Sequence, residues 1–407
     1  MIRLTKKAAR LTLETVYQIL HRRYGPRFNT DRLLQSYFDG ERFGREAGCG
    51  ERLCGGAQAF VQRCKIGSEP GVYGHSPSSP VANLYSSVYA AQILSLTGAM
   101  DTLSVQDRVG WVAYLDSFQS GEDGLFYDAS LAGTRFNTAD WWGARHLAVH
   151  VIAAYTALQA KPRADFGFLR KYTGPGAVEH WLAQADWSEA GDFDNQVMNI
   201  GALMQYSRDG FANEAAGRGA QVLTREIERR IDPGSGLVWP SDVAGAQREA
   251  PARLSRAVQF SYHLYAVAHY DGWRHPSPAT LRRTVERTAN VLGGFGPALN
   301  SSACEDMDSI DLLRRYAPPG EPGGREIFRD AVTWVLANRN PDGGFVFRRG
   351  EAFEFGHPVL RSRADESDLF ATWFRLLALA YLQGGAATRF GLRLRDCPGY
   401  EYDRGTL

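Results

Sequence analysis

One local pattern recurs along this 407-residue chain and limits its folds more than any other feature: a helical stretch, a polar residue, then glycine followed by an aromatic. It occurs at Gln119-Ser-Gly-Glu-Asp123-Gly124-Leu-Phe126 and at Asp232-Pro-Gly-Ser-Gly236-Leu-Val-Trp239. A reduced copy stands at Val291-Leu-Gly-Gly294-Phe295, and a full one at Asn338-Arg-Asn340-Pro-Asp342-Gly343-Gly344-Phe345. A weaker copy ends at Asp186-Trp187. The aromatics fall at 126, 187, 239, 295 and 345, so successive copies lie 50 to 61 residues apart. A period of that size signals units that bury one another. Each copy reads as a helix ending at a glycine turn whose aromatic tucks back beneath it.

Between the turns run segments with apolar residues at three- and four-residue spacing. One set is small-residue-rich and apolar: Tyr85–Leu96, Trp141–Leu158, Asn195–Tyr206, Ala257–His269, Asp306–Tyr316 and Ser367–Leu382. The other is amphipathic and charged: Val105–Phe118, Phe168–Ala183, Asn213–Ile231, Ala279–Leu292 and Arg325–Asn338. The sets alternate, and strand-like alternation is scarce. Helices covered on both sides, alternating with helices covered on one, are what an all-α, α/α toroid requires. The expected organisation is an N-terminal amphipathic helix plus an irregular Gly/Cys-containing segment over 1–79, one toroid domain over 80–390, and a tail over 391–407. Within the first part, Phe38–Ser79 reads as irregular.

Composition removes several function classes. Lys+Arg total 46 against Asp+Glu 45, a balance that argues against a nucleic-acid binder. No run of 18 apolar residues marks a membrane span. Neither a phosphate-cradling glycine loop nor a Gly-x-Ser-x-Gly elbow is present. Five scattered cysteines read as reduced thiols of a cytoplasmic protein. Met1–Arg23 carries Arg3, Lys6, Lys7, Arg10, Arg22 and Arg23 against Glu14. This basic amphipathic helix either straps onto the domain or makes peripheral contact with an anionic membrane surface.

The Gln119–Phe126 and Asn338–Phe347 turns resemble the Gln-x-x-x-Gly-x-Trp (QW) repeats of the squalene–hopene cyclase family. Asp306-Met-Asp308-Ser309, followed by Trp334 through Phe345, is similar to the Asp-x-Asp-Asp motif and following repeat of class II terpene cyclases. The resemblance implies a single toroid and acid-initiated cyclisation of an isoprenoid, with Asp308 as proton donor. Ser309 stands where that family has a further Asp, and phenylalanine often replaces tryptophan in the turns. Protein prenyltransferase β subunits share the single toroid and hold zinc, but here their Asp-x-Cys pair is replaced by Asp306 and Asp308. Cys304 and His357 leave zinc open as an alternative, while the leading expectation is no metal and no cofactor.

The residues themselves support an acidic site. Ser302-x-x-Glu305 reads as a capping box, yet four acids in seven residues exceed what capping needs. If one face points into the toroid, like charges crowd there and a proton is retained. The expected acid set is Asp308 as donor, Asp306 and Glu305 tuning it, and His357 orienting it. The expected substrate wall is Trp141, Trp142, Arg145, His146, Asn199, Tyr262, Phe370 and Trp373. Asp194 and His263 join it only if they converge on the acids. Polar groups at the inner-helix starts keep a second expectation alive: a carbohydrate lyase, hydrolase or epimerase using the same carboxylates, with tryptophan platforms for the sugar. A non-catalytic groove for a prenyl chain or peptide is the third.

Overall fold

The computed structural model of the chain describes residues 30–133, 143–316, 322–383 and 390–400. The N-terminal basic segment, Trp141 and Trp142 lie outside the described residues.

Thirteen α-helices appear among them: α1 (Thr30–Arg45), α2 (Cys49–Arg63), α3 (Leu84–Leu96), α4 (Val105–Asp116), α5 (Ala144–Ala157), α6 (Ala177–Ala183), α7 (Phe193–Phe211), α8 (Glu214–Glu228), α9 (Pro251–Tyr270), α10 (Pro278–Glu286), α11 (Ala303–Tyr316), α12 (Pro322–Ala337) and α13 (Leu369–Leu382). Six of them, α3, α5, α7, α9, α11 and α13, pack each on the next, and α13 packs back on α3. The ring is therefore closed. Every residue of α3 is buried, as a helix covered on both sides must be. By contrast α8 buries one stripe, Ala216, Ala220, Leu223 and Ile227, at three- to four-residue spacing. This is the α/α toroid the alternating periodicities require.

The inner helices run in one direction. Their starts meet: Tyr85 of α3 hydrogen-bonds His146 of α5, and Asp306 of α11 pairs with Arg375 of α13. Their ends meet as well, through Gln205 of α7 with Val267 of α9, and His269 of α9 with Tyr316 of α11. A two-stranded antiparallel hairpin, β1 (Phe353–Glu354) and β2 (Arg361–Ser362), lies over the starts. Its Phe355 is in ring contact with Tyr85, Tyr89, His146 and Phe370. The segment 390–400 closes the other end. Arg393 N–H donates to Leu96 O at the end of α3, Arg395 Nε donates to Ser95, and Gly399 lies against Val149 and Ala202.

The glycine turns explain the period. At three of them a β-bridge joins the two arms, Gln119 with Phe126, Ala289 with Phe295 and Arg339 with Phe345, and all three phenylalanines are fully buried. Gln119 Nε2 donates to Gly124 O and Ala164 O, so the polar residue ties its turn to the next segment. Gly343 shows why glycine is required: φ is +88°, and a Cβ would stand 2.2 Å from Gly56 O. Gly343→Ala should lower unfolding free energy by roughly 1–3 kcal/mol in urea titrations, as a strained left-handed residue with a clash does. Gly67→Ala, at φ +66° with open space around it, should cost less.

Two expectations are corrected. Phe38–Ser79 is not irregular, because it contains the second half of α1 and all of α2. Some of its glycines are contact points: a Cβ on Gly40 would stand 2.5 Å from Ala337 N, where α1 lies against α12. The expected outer helix Phe168–Ala183 is broken into a 3-10 turn, Gly167–Tyr172, and α6. Gly174-Pro175-Gly176 divides them, with Gly176 at φ +71°.

Candidate active site inside the toroid

The acid-rich start of α11 divides its carboxylates between two faces. Asp306 and Asp308 are two residues apart, which is about 200° around a helix at 3.6 residues per turn. Asp306 therefore turns toward the outer layer. It accepts from Phe295 N–H (2.8 Å), Ser301 Oγ (2.7 Å) and Trp334 Nε1 (3.0 Å), and pairs with buried Arg375. Arg375 also donates to Ser301 O and Phe347 O. Burial pushes the Asp306 carboxyl up, while Arg375 and these donors favour the ionised form. Its lone pairs are committed to holding a glycine turn, an outer helix and α13 together, so it is not placed to tune Asp308.

Glu305 closes the capping box: Ser302 N–H donates to Glu305 Oε2 (2.7 Å), and Glu305 N–H donates to Ser302 Oγ (3.2 Å). Arg348 also donates to Oε2 at 2.9 Å. His357 sits in the hairpin turn, where Nδ1 accepts from Val359 N–H. Among the described residues, no hydrogen bond, ion pair or ring contact joins His357 to the acids.

Asp308 differs from both. It is buried, and its Oδ1 has no hydrogen-bond partner among the described residues. Burial pushes its carboxyl well above the usual range, and the charges of Asp311, Asp194 and Glu305 add to this against Arg256. The result is a carboxyl whose protonated form is favoured and which has an uncommitted oxygen. Asp311 makes a bidentate pair with Arg315 at 2.9 and 2.8 Å, both side chains buried.

Across from Asp308, the first turn of α7 supplies Asp194. Arg256 of α9 grips it bidentately, 2.9 Å to each oxygen, and His263 Nδ1 lies 2.7 Å from Oδ2. Burial opposes the charge on Asp194, but His263 and Arg256 overcome it and hold the carboxyl at about 2. An ionised carboxylate accepts only, so His263 Nδ1 donates this hydrogen bond, which fixes the ring's orientation. Asp194 and His263 thus converge with the acidic helix. Arg256 carried no signal in the sequence, because it is one of two arginines near the start of an inner helix and its partner lies 62 residues away.

The rest of the wall is aromatic. His146 Nδ1 is 2.7 Å from Tyr85 Oη, and its Nε2 is 3.3 Å from His150 Nε2. Burial, with His263 nearby, lowers His146 to about 3, so it is neutral. Phe370 stacks on Phe355 at 4.3 Å, and Trp373 stacks on Tyr89 at 5.4 Å. Asn199 and Tyr262 are buried, and the Tyr262 ring touches His263. Arg145 is half-buried, with its guanidinium 5.8 Å from the Phe168 ring centroid. Tyr89 and Tyr400 were missed by sequence reading. Tyr89 lies in a helix buried on every side, which gives no face to single it out, and Tyr400 lies in a segment without periodicity.

Among the described residues, no group of three or more His, Cys, Asp or Glu could hold a metal ion, and no helix is long and apolar enough to cross a membrane. Cys304 is a free thiol.

The ring, its two covers and the interior carboxyl define the chain as an α/α toroid with a polar core. No family model and no curated protein matches it. Among solved structures it is similar to a variant of an unsaturated glucuronyl hydrolase described with dGlcA-Glc-Rha-Glc. The two chains are 13% identical with a TM-score of 0.49, over 87% of this chain and 99% of that one.

Proposed function

We propose that the chain is an enzyme that protonates a polyhydroxylated substrate, a sugar or sugar chain, inside the toroid, with Asp308 as the general acid. The observation that carries this reading is the buried, uncommitted Oδ1 of Asp308 on a carboxyl whose protonated form is favoured by burial and neighbouring charge. A carboxyl raised in this way keeps its proton to higher pH than an ordinary one and would give it up where charge develops on a leaving oxygen. Asp194 orients His263, whose Nε2 would take a proton from an attacking water. Arg256 holds Asp194 in place for that task. Hydroxyls suit a wall of His, Arg, Asn and Tyr, and aromatic faces suit the sugar ring.

The rival is acid-initiated isoprenoid cyclisation, which the sequence resemblance favours and which Phe355, Phe370, Trp373 and Tyr89 would serve by stabilising cations. The same interior, however, carries the guanidinium of Arg256. A fixed cation beside a developing carbocation raises its energy at low dielectric. The deciding experiment incubates the protein separately with oligosaccharides labelled at the reducing end and with isoprenoid diphosphates and squalene, and analyses each by mass. Conversion of a saccharide is expected. A cyclised isoprenoid, with every saccharide untouched, would overturn the sugar reading.

A further inference from the structure

Deeper in the barrel lies a second group of polar atoms that the acid chemistry does not use. Tyr89 Oη, His150 Nδ1 and Trp373 Nε1 are all buried and have no hydrogen-bond partner among the described residues. They form one cluster. The Tyr89 ring lies 5.2 Å from His150 and 5.4 Å from Trp373, and His150 lies 5.3 Å from Trp373. Tyr400 forms the floor, stacked on His150 at 4.8 Å and edge-on to Trp373 at 5.3 Å. The charges of Cys304 and Asp308 act on the Tyr400 phenol, which places the cluster beside the acid. Asp308 Oδ1 is thus a fourth unpartnered atom in the same interior.

Buried polar groups normally find partners, and these four, gathered in one interior, are donors and acceptors that the protein's own side chains leave uncommitted. The groups are neutral. Burial holds His150 well below its ordinary value and Tyr89 well above its own. Neutral donors and acceptors set among ring faces recognise hydroxyls and a sugar's apolar face, whereas a carboxylate or phosphate would ask for a cation. The floor is firmly held. Tyr381 Oη donates to Tyr400 O, and Arg393 and Arg395 both pair with Asp101.

We propose that Tyr89, His150 and Trp373, floored by Tyr400, form a blind-ended subsite for one neutral, polyhydroxylated ring, so that the enzyme works from a chain end. This deepens the sugar reading and rests on it. A chain cannot thread past Tyr400, so only a terminal unit reaches the cluster.

The test is saturation-transfer NMR on the full chain with D-glucose, D-galactose, L-rhamnose, N-acetylglucosamine and D-glucuronate. It is repeated on Tyr89→Phe and Trp373→Phe, which keep an aromatic ring and remove the polar atom, with thermal melting to confirm that each is folded. At least one neutral sugar should bind, more tightly than glucuronate, and its affinity should fall at least ~10-fold in both variants, since a buried polar partner is lost. Absence of neutral-sugar binding, or undiminished binding in both variants, would overturn the subsite. Binding needs no turnover, so it separates this inference from the catalytic one. Where a labelled oligosaccharide is turned over, loss of one unit at a time is expected, and mid-chain fragments would overturn the chain-end assignment.

Discussion

Asp308→Asn should reduce turnover at least ~10²-fold, the scale of a lost general acid, while leaving the protein folded and no less stable. Asparagine keeps the shape and removes the proton that Asp308 would donate. The stability half follows from linkage. The folded-state pKa of Asp308 is raised above its unfolded value. Its contribution to stability is therefore fully present below about pH 4, the ordinary carboxylate value, and is lost as pH rises through the folded value. The wild type should show this decline in thermal midpoint across that window, and Asp308→Asn should show less of it. Activity should share the sign, because a general acid works only while protonated, so the rate should fall as pH rises through the folded pKa. Full turnover by Asp308→Asn on a substrate the wild type converts would remove Asp308 from the mechanism and leave the acidic run as a helix start.

The toroid was legible because its cause is local. Alternating all-apolar and one-sided helices, cut by glycine turns at a near-constant period, leave few other ways to bury the apolar faces. Where local signals misled, glycine was the reason. Gly40 and Gly56 sit inside helices because neighbouring backbone comes close, which is a tertiary fact with no sequence signature. The site was legible in part. Four acids in seven residues exceed capping demand, and that excess singled out the start of α11, where Asp308 is buried. Their division of labour was not legible, because it depends on Arg375, Trp334 and Ser301 meeting Asp306 from distant or looped segments. Asp194 and His263 show the same limit from the other side. Each alone reads as an ordinary polar residue on an inner helix, and only the pairing of α7 with α9 makes them a unit. Tyr400 depends on where a non-periodic segment enters the barrel, which pattern reading cannot reach.

Asp306→Ala should do the reverse of Asp308→Asn and lower unfolding free energy by about 3–5 kcal/mol, the range for breaking a buried ion pair from one side. The loss has a specific origin. Arg375 is fully buried, and without Asp306 its charge keeps only the carbonyls of Ser301 and Phe347. Phe295 N–H, Ser301 Oγ and Trp334 Nε1 lose their acceptor in the same step. Adding Arg375→Met removes the stranded cation, so the double variant should be more stable than the sum of the two single losses implies, with a coupling of roughly 0.5–3 kcal/mol in a double-mutant cycle. Turnover per folded molecule, measured at a temperature where Asp306→Ala is still native, should stay far closer to wild type than that of Asp308→Asn. Two carboxylates separated by one residue would then divide cleanly, one limiting stability and the other limiting rate. The opposite outcome, a stable Asp306→Ala with its rate reduced as far as that of Asp308→Asn, would mean that both carboxylates act on the substrate, as the class II cyclase resemblance implies. It would also mean that the Asp306–Arg375 pair opens during the reaction.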